Sequence, residues 1–485
     1  MTLKMRKRIV GKLNKYFASL KEEEISRISR ILSQEIQRLN IKYLSDSGKA
    51  QDIRLVLRPW FIKPQEMRFF HRLIYSFKAA HHKLCRMYLH SRRIQEIMPL
   101  TSDEKEWFGL INKNRFQKYQ EVFGRWDTNV SFDERDNIRG IKFLETNTVG
   151  IGGIHYIPVV SEGIKEILRF RFEKDIRPYR LRFQADPRDL LAAQIKRHAR
   201  LIGRRALNVV FLENRDYLGG TVELPELAKY FLKKGIKAIL ADPRELRLKG
   251  GEIYHRDTNI DIIYRDSELQ ELIDIERKGH NMAVLKQAFV NNQVISSIAG
   301  ELDHKSSFEI FTNPEFAGLF TAGERAVFRK YLPWTRVIKE RKTPGIDGRG
   351  IDLVPYVLKN QERLIIKPSR AYGGKGVMIG QLTEKSKWAD YAAKASRKPG
   401  GYVAQEAVDI REETFPVFSG DGFGYRKPNH GLAAYGKIRF EKFYSVSGFV
   451  VTPGAIAVLG RFSKDMVVNV ARKGGIIPAF LLSIG

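Results

Sequence analysis

Only one cysteine, Cys85, occurs in 485 residues, which excludes an internal disulfide framework and a thiolate-rich zinc site. Such sparing use of cysteine fits a reducing compartment, and the expected location is cytoplasmic. Long apolar runs are also missing, and none approaches the roughly 20 residues needed to span a bilayer. The chain shows no internal repeat, no low-complexity tract and no GxxxxGK[ST] phosphate loop. Acidic residues are scarce: 55 Asp and Glu stand against 85 Lys and Arg, a formal charge of +30. An anionic partner is therefore expected, whether nucleotide, nucleic acid, acidic substrate or membrane surface. The 43% hydrophobic content is ample for a folded core, and the length suits two to four domains.

The opening stretch "MTLKMRKRIVGKLNKYFASL" carries six basic residues and no acid. It lacks an h-region and runs on into the equally helical "EEEISRISRILSQEIQRL", so it reads as a solvated basic helix rather than a targeting peptide. Helical periodicity continues almost throughout residues 1–120. From 121 the texture changes: "RWDTNVSF" alternates, "DERDNIRG" is turn-like, and "IKFLETN" alternates again, the pattern of a β-hairpin. Residues 160–205 read as helical. Next, "ALNVVFLEN", "ELPELAKYFLKKG" and "IKAILADP" form a βαβ unit, and a hairpin, "LRLKGGEIYHR", leads to a third strand, "IDIIYRD". Beyond 300, a helix around "AGERAVFRKYL" precedes "RLIIKPS", "GVMIG", "GYVAQEA", "KIRFEKFY", "SGFVVT", "AIAVLGRFS" and "MVVNVA", read together as antiparallel sheet with sparse helices.

Two constellations carry chemistry. In "LIIKPSRAYGGKGVMIG" a strand delivers Lys367 to a loop containing Gly373, Gly374, Lys375 and Gly376. Glycines let backbone N–H groups close on phosphate oxygens, and a lysine adds a point charge. A plain glycine hairpin is the rival reading. In the early hairpin, "RWD" and "LETN" place Arg125 with Asp127, and Glu145 with Asn147, at strand spacing of two. Paired across the hairpin, Asp127, Glu145 and Asn147 make three hard oxygen donors suited to Mg²⁺, with Arg125 beside them. Here the rival is cross-strand charge pairing on a solvated sheet face. Gln405 and Glu406, in "YVAQEAV", offer polar groups to an adenine edge, and Arg461 offers a charge for a transferring phosphoryl group.

These residues, in this order, resemble the ATP-grasp superfamily in its circularly permuted branch, which includes the synthetase part of glutathionylspermidine synthase. R-x-D and E-x-N precede the lysine and glycine loop, the reverse of ordinary members. The resemblance covers about 120–485. It implies an α/β (α+β) fold in four parts: a helical N-terminal region at 1–120, a metal-strand part at 121–204, a pre-ATP-grasp α/β domain at 205–300 and the nucleotide half at 301–485. It implies ATP phosphates at Lys367, Gly373, Gly374, Lys375 and Gly376, and adenine near Gln405 and Glu406. It further implies Mg²⁺ at Asp127, Glu145 and Asn147, with Arg125 and Arg461 facing the reacting phosphoryl or acyl group. Relatives of this branch tend to carry a glutamate where Lys375 stands. They also use an earlier ATP lysine, for which Arg325 and Lys330 are the available substitutes.

The activity implied is a Mg-ATP-dependent ligase joining a small-molecule or peptide-like carboxylate to an amine through an acyl phosphate. Two other readings accompany it: an ATP-grasp kinase, and a non-catalytic nucleic-acid or anion binder using the +30 charge. No nucleic-acid reader motif supports the last.

Overall fold

The computed structural model describes residues 3–45, 47–113, 120–132, 140–175, 179–217, 219–371, 373–418, 437–469 and 474–484. At its centre is the helix Pro64–His90. Pro64 supplies a preset first-turn φ, and the Glu66 carboxylate accepts the Lys63 N–H at 2.9 Å, closing the N-terminus. Met67, Phe70, Ile74, Phe77 and Leu84 recur at helical spacing and are buried. Phe70 stacks on Phe449 at 4.8 Å and meets Phe132 edge-on at 5.7 Å. Each such side chain contributes about 2–3 kcal/mol on burial.

This helix packs beside the largest sheet, whose strands run in the order Arg54–Leu55, Gly475–Ile477, Ile456–Ser463, Ile438–Val451, Arg125–Thr128 and Phe143–Asn147, with Glu412–Phe418 also paired to the long Ile438–Val451 strand. Sequence pattern divides that long strand at Ser445–Ser447. Burial joins it, because the Ser447 hydroxyl is satisfied by Val130 O at 2.7 Å.

Two further sheets face the same space. Parallel strands Lys237–Ala241, Asn208–Leu212, Ile262–Arg265 and Val294–Ile295 form an open α/β unit, with the helix Leu224–Lys233 in the first crossover. The hairpin Leu246–Lys249/Glu252–His255 turns on Gly250 and Gly251, both at positive φ. The other sheet is antiparallel, in the order Thr335–Val337, Tyr402–Glu406, Leu364–Pro368, Met378–Ile379. The helices Leu353–Lys359 and Lys385–Ser396 cover it with Trp388, Val357 and Ala392.

Three readings need correction. The first 120 residues contain the strands Lys42–Leu44, Ala50–Asp52, Arg54–Leu55 and Trp60–Ile62. These are too short to show a period of two, and the last two depend on remote partners: Arg54 pairs with Gly475, and Trp60 with Ala479. The span 160–205 holds a strand, Tyr179–Phe183, between two helices; it pairs with Ala479–Ile484. The "MVVNVA" segment bends at Met466 and Val467 instead of extending, and its last two residues, 470 and 471, lie outside the described residues.

Candidate active site

The hairpin strands pair in the register Arg125↔Asn147, Trp126↔Thr146 and Asp127↔Glu145. Alternation sends Trp126 and Thr146 into the core and the other four toward a shared cavity. Asp127 is the hub. It accepts from Arg125 Nε at 2.8 Å and from Asn147 Nδ2 at 3.0 Å, and Arg461 Nη2 lies 2.7 Å from its Oδ2. Burial pushes this carboxyl up, but Arg125 and Arg461 together hold it below the usual carboxylate range.

Arg461 reaches Asp127 from the Ile456–Ser463 strand, across the Ile438–Val451 strand that lies between them. The residue paired with Asp127 on that middle strand is Gly448. A Cβ there would stand 2.6 Å from both Arg125 Cδ and Asp127 Oδ1, so only glycine leaves room for the bridge. The sequence reading missed Gly448, which sits inside an apolar strand run.

On the facing antiparallel sheet, Lys367 and Gln405 line the same cavity, and Lys367 Nζ donates to Gln405 Oε1 at 2.7 Å. Gln405 Nε2 in turn donates to Thr335 Oγ1 at 3.1 Å, which fixes the amide. Lys367 is 8% exposed. Burial lowers its amine to about 8; Lys305 adds to this and Glu145 opposes it. Gly373, Gly374 and Gly376 have φ of +66°, +69° and +68°, a region that disfavours other residues. At Gly374 a Cβ would also lie 2.3 Å from Val467 Cγ1. The Met466–Val467 segment, which bends rather than joining a sheet, lies against this loop.

Lys305, which the sequence reading did not single out, ties the two motifs together. Its backbone N–H donates to Ser369 O at 2.9 Å, and its Nζ donates to Ala371 O at 2.8 Å and lies 3.3 Å from Glu145 Oε2. Burial raises the Glu145 carboxyl, but Lys305, with Lys367 and Arg461, brings it below its ordinary value. Arg325 and Lys330 are elsewhere: they sit on the helix Ala322–Tyr331, where Arg325 donates to Phe320 O, and neither lines the cavity.

The cavity has a volume of about 760 Å³. Lining it are Arg125, Asp127, Glu145, Asn147, Lys367, Gly373, Gly374, Lys375, Gln405 and Arg461. Gly376 and Glu406 are not among the lining residues. Glu406 follows Gln405 on a strand and so faces the other way, where its carboxylate accepts the Trp334 N–H at 3.3 Å. After Asn147 the chain turns through Gly150 and Gly153, both at positive φ, and Gly152 O accepts from Arg125 Nη1 at 2.9 Å. Among the described residues, no three His, Cys, Asp or Glu side chains form a metal cluster. The donors here are two register-paired carboxylates and one amide, whose nitrogen is spent on Asp127. That leaves oxygen ligands, the set a hard divalent cation prefers.

No family model and no curated protein sequence matches the chain. Among solved structures, it is similar to a glutathione synthetase-like effector from Globodera pallida in its apo form, with 11% identity over 96% of this chain and 98% of that one and a TM-score of 0.59. A putative gamma-glutamylcysteine synthetase from Methylobacillus flagellatus aligns at 9% identity over 76% of this chain and 83% of that one, with a TM-score of 0.38. D-alanyl-alanine synthetase A from Vibrio cholerae aligns at 9% identity over 52% of this chain and 86% of that one, with a TM-score of 0.25. The first likeness, nearly end to end, shows that the chain shares the overall fold of that protein, the N-terminal region included.

Proposed function

We propose that the chain is a Mg-ATP-dependent ligase that joins a carboxylate to an amine through an acyl phosphate, on a circularly permuted ATP-grasp scaffold. The observation that carries this reading is the meeting of Asp127, Glu145, Asn147 and Arg461 with Lys305, Lys367 and the Gly373–Gly374 loop around one cavity. Lys305, Lys367 and the glycine-loop amides hold the nucleotide phosphates. Gln405 and the chain leading to Val408 and Ile410 border the base. Asp127, Glu145 and Asn147 hold Mg²⁺, which supplies charge neutralisation at the phosphates when bound. Arg125 and Arg461 stabilise charge on the reacting phosphoryl and acyl oxygens.

The substrate carboxylate attacks the γ-phosphorus, ADP leaves, and the amine then displaces phosphate from the acyl carbon. No side-chain nucleophile is required, so catalysis is positioning and charge stabilisation. The test is thermal or denaturant stability of wild type, Lys367→Ala and Glu145→Ala with and without Mg-ATP. At about 100 times Kd, nucleotide adds roughly 2.7 kcal/mol to the folded state. A magnesium-dependent gain in wild type, reduced in both variants, supports the reading. No gain in folded wild type removes it.

A further inference from the structure

We infer that Arg370 and Glu104 are positioning residues for the glycine loop, and that the helix Ser102–Phe108 transmits the loop's occupancy to the parallel α/β unit. The inference rests on the reading that this loop holds nucleotide phosphates.

Arg370 stands at the entrance to the loop, two residues after the strand Leu364–Pro368. A cation there is well placed to meet a phosphate, yet Arg370 does not line the cavity, although its neighbour Ala371 does. Its guanidinium is turned onto the N-terminal region instead. Nη1 donates to Glu104 Oε1, and Nη2 donates to Pro99 O at 2.8 Å. Glu104 is 5% exposed, so its carboxylate depends on this cation. The other oxygen, Oε2, accepts the Thr101 N–H at 2.7 Å and closes the start of the helix Ser102–Phe108. Capping the helix takes one oxygen only; the second ties the loop to it.

The backbone on either side of Arg370 is held as well. Ser369 O accepts the Lys305 N–H at 2.9 Å, and Ala371 O accepts from Lys305 Nζ at 2.8 Å. Pro99 presses on Gly400, where a Cβ would lie 2.2 Å from its Cγ, and Gly401 O accepts the Ser369 N–H at 2.9 Å. Residues 369–371 are therefore fixed both by Lys305 and by the N-terminal region. Such anchoring matters because glycines leave a loop conformationally free, and a free cradle loses entropy when it closes on phosphate.

The same helix reaches the α/β unit. Trp107, fully buried, donates its indole N–H to Glu276 Oε2 at 3.0 Å. Asp103 accepts from Arg277 Nε at 2.8 Å, and Glu106 lies 2.6 Å from Lys286. Glu276 and Arg277 end the helix Leu269–Arg277, whose Gln270, Glu271 and Asp274 line the cavity. Exposed ion pairs contribute little by themselves. The link is carried by the buried Glu104 and Trp107, one helical turn apart, which join Arg370 to Glu276 through contiguous packed groups.

The experiment is hydrogen exchange by mass spectrometry on the full chain with and without Mg-ATP, paired with nucleotide titration, for wild type, Arg370→Ala and Arg370→Lys. In wild type, Mg-ATP should slow exchange in the glycine loop and also in residues 102–108 and 269–277. Arg370→Ala should bind Mg-ATP roughly tenfold more weakly. At saturating nucleotide it should keep the protection of the loop and lose that of the two helices, a pattern that general destabilisation does not produce. Arg370→Lys keeps a cation on Glu104, should recover part of both effects, and stands in if the alanine variant does not fold. Wild-type affinity in folded Arg370→Ala, or unchanged protection of both helices there, overturns the inference. Protection confined to the loop in wild type removes the inference alone. No protection of the loop in folded wild type removes the nucleotide reading and the inference with it.

Discussion

Arg461 and Asp127 meet at 2.7 Å across an intervening strand, and Asp127 is 1% exposed. Arg125 shares the same carboxylate, so one anion neutralises two largely buried guanidiniums. Asp127→Asn keeps the shape but removes that charge. Because an uncompensated buried ion is costly, the substitution should destabilise the fold by about 3–5 kcal/mol. Urea unfolding would measure it. Adding Arg461→Met should restore part of the loss, and full additivity of the two changes would contradict the coupling.

Lys305 gives a sharper test of which lysine belongs to the site. Lys305→Met should remove most of the stabilisation by Mg-ATP and reduce any ATP-dependent turnover at least tenfold, whereas Arg325→Ala and Lys330→Ala should leave both near wild type. Loss of nucleotide response in either helix variant, with Lys305→Met unaffected, would reverse the assignment. Thermal shifts and ADP release read this out together.

The Lys367 amine, at about 8 against an ordinary 10.5, predicts two opposite pH trends. Without nucleotide, the unfolded chain binds more protons at this residue between those values. The Lys367 contribution to stability therefore rises with pH across that window. Phosphate binding needs the ammonium form, so stabilisation by ATP should fall as pH rises through about 8. Melting temperatures from pH 7 to 10, with and without Mg-ATP, check both signs. In Lys367→Met the first trend should vanish, and in Lys367→Arg any remaining nucleotide response should be flat in pH.

The legible parts of this molecule were those whose chemistry follows a local period. Asp127, Glu145 and Asn147 announce themselves because a period of two places them on one strand face, and the glycines after Lys367 mark a loop that other residues fit badly. Lys305 gives no such signal. It lies in an irregular stretch after the short helix Ile298–Leu302, and its role comes from contacts with Glu145 and Ala371. Gly448 looks like a weak point in a strand until Arg125 and Asp127 are seen above it. The division of labour between Gln405 and Glu406 is readable in principle, since neighbours on a strand face opposite ways, but deciding which side is the cavity takes the neighbouring sheet.

The pairing of Arg54–Leu55 with Gly475–Ile477, and of Trp60–Ile62 with Ala479–Leu481, bears on how the chain is made. Translation delivers the earlier strands long before their partners, so those two segments leave the ribosome with open edges and wait for most of the polypeptide to follow. Such remote contacts slow folding and expose unpaired strands to aggregation. Newborn chains should therefore lean on chaperones until the region beyond residue 474 is released, and shortening that region should harm yield more than activity per folded molecule.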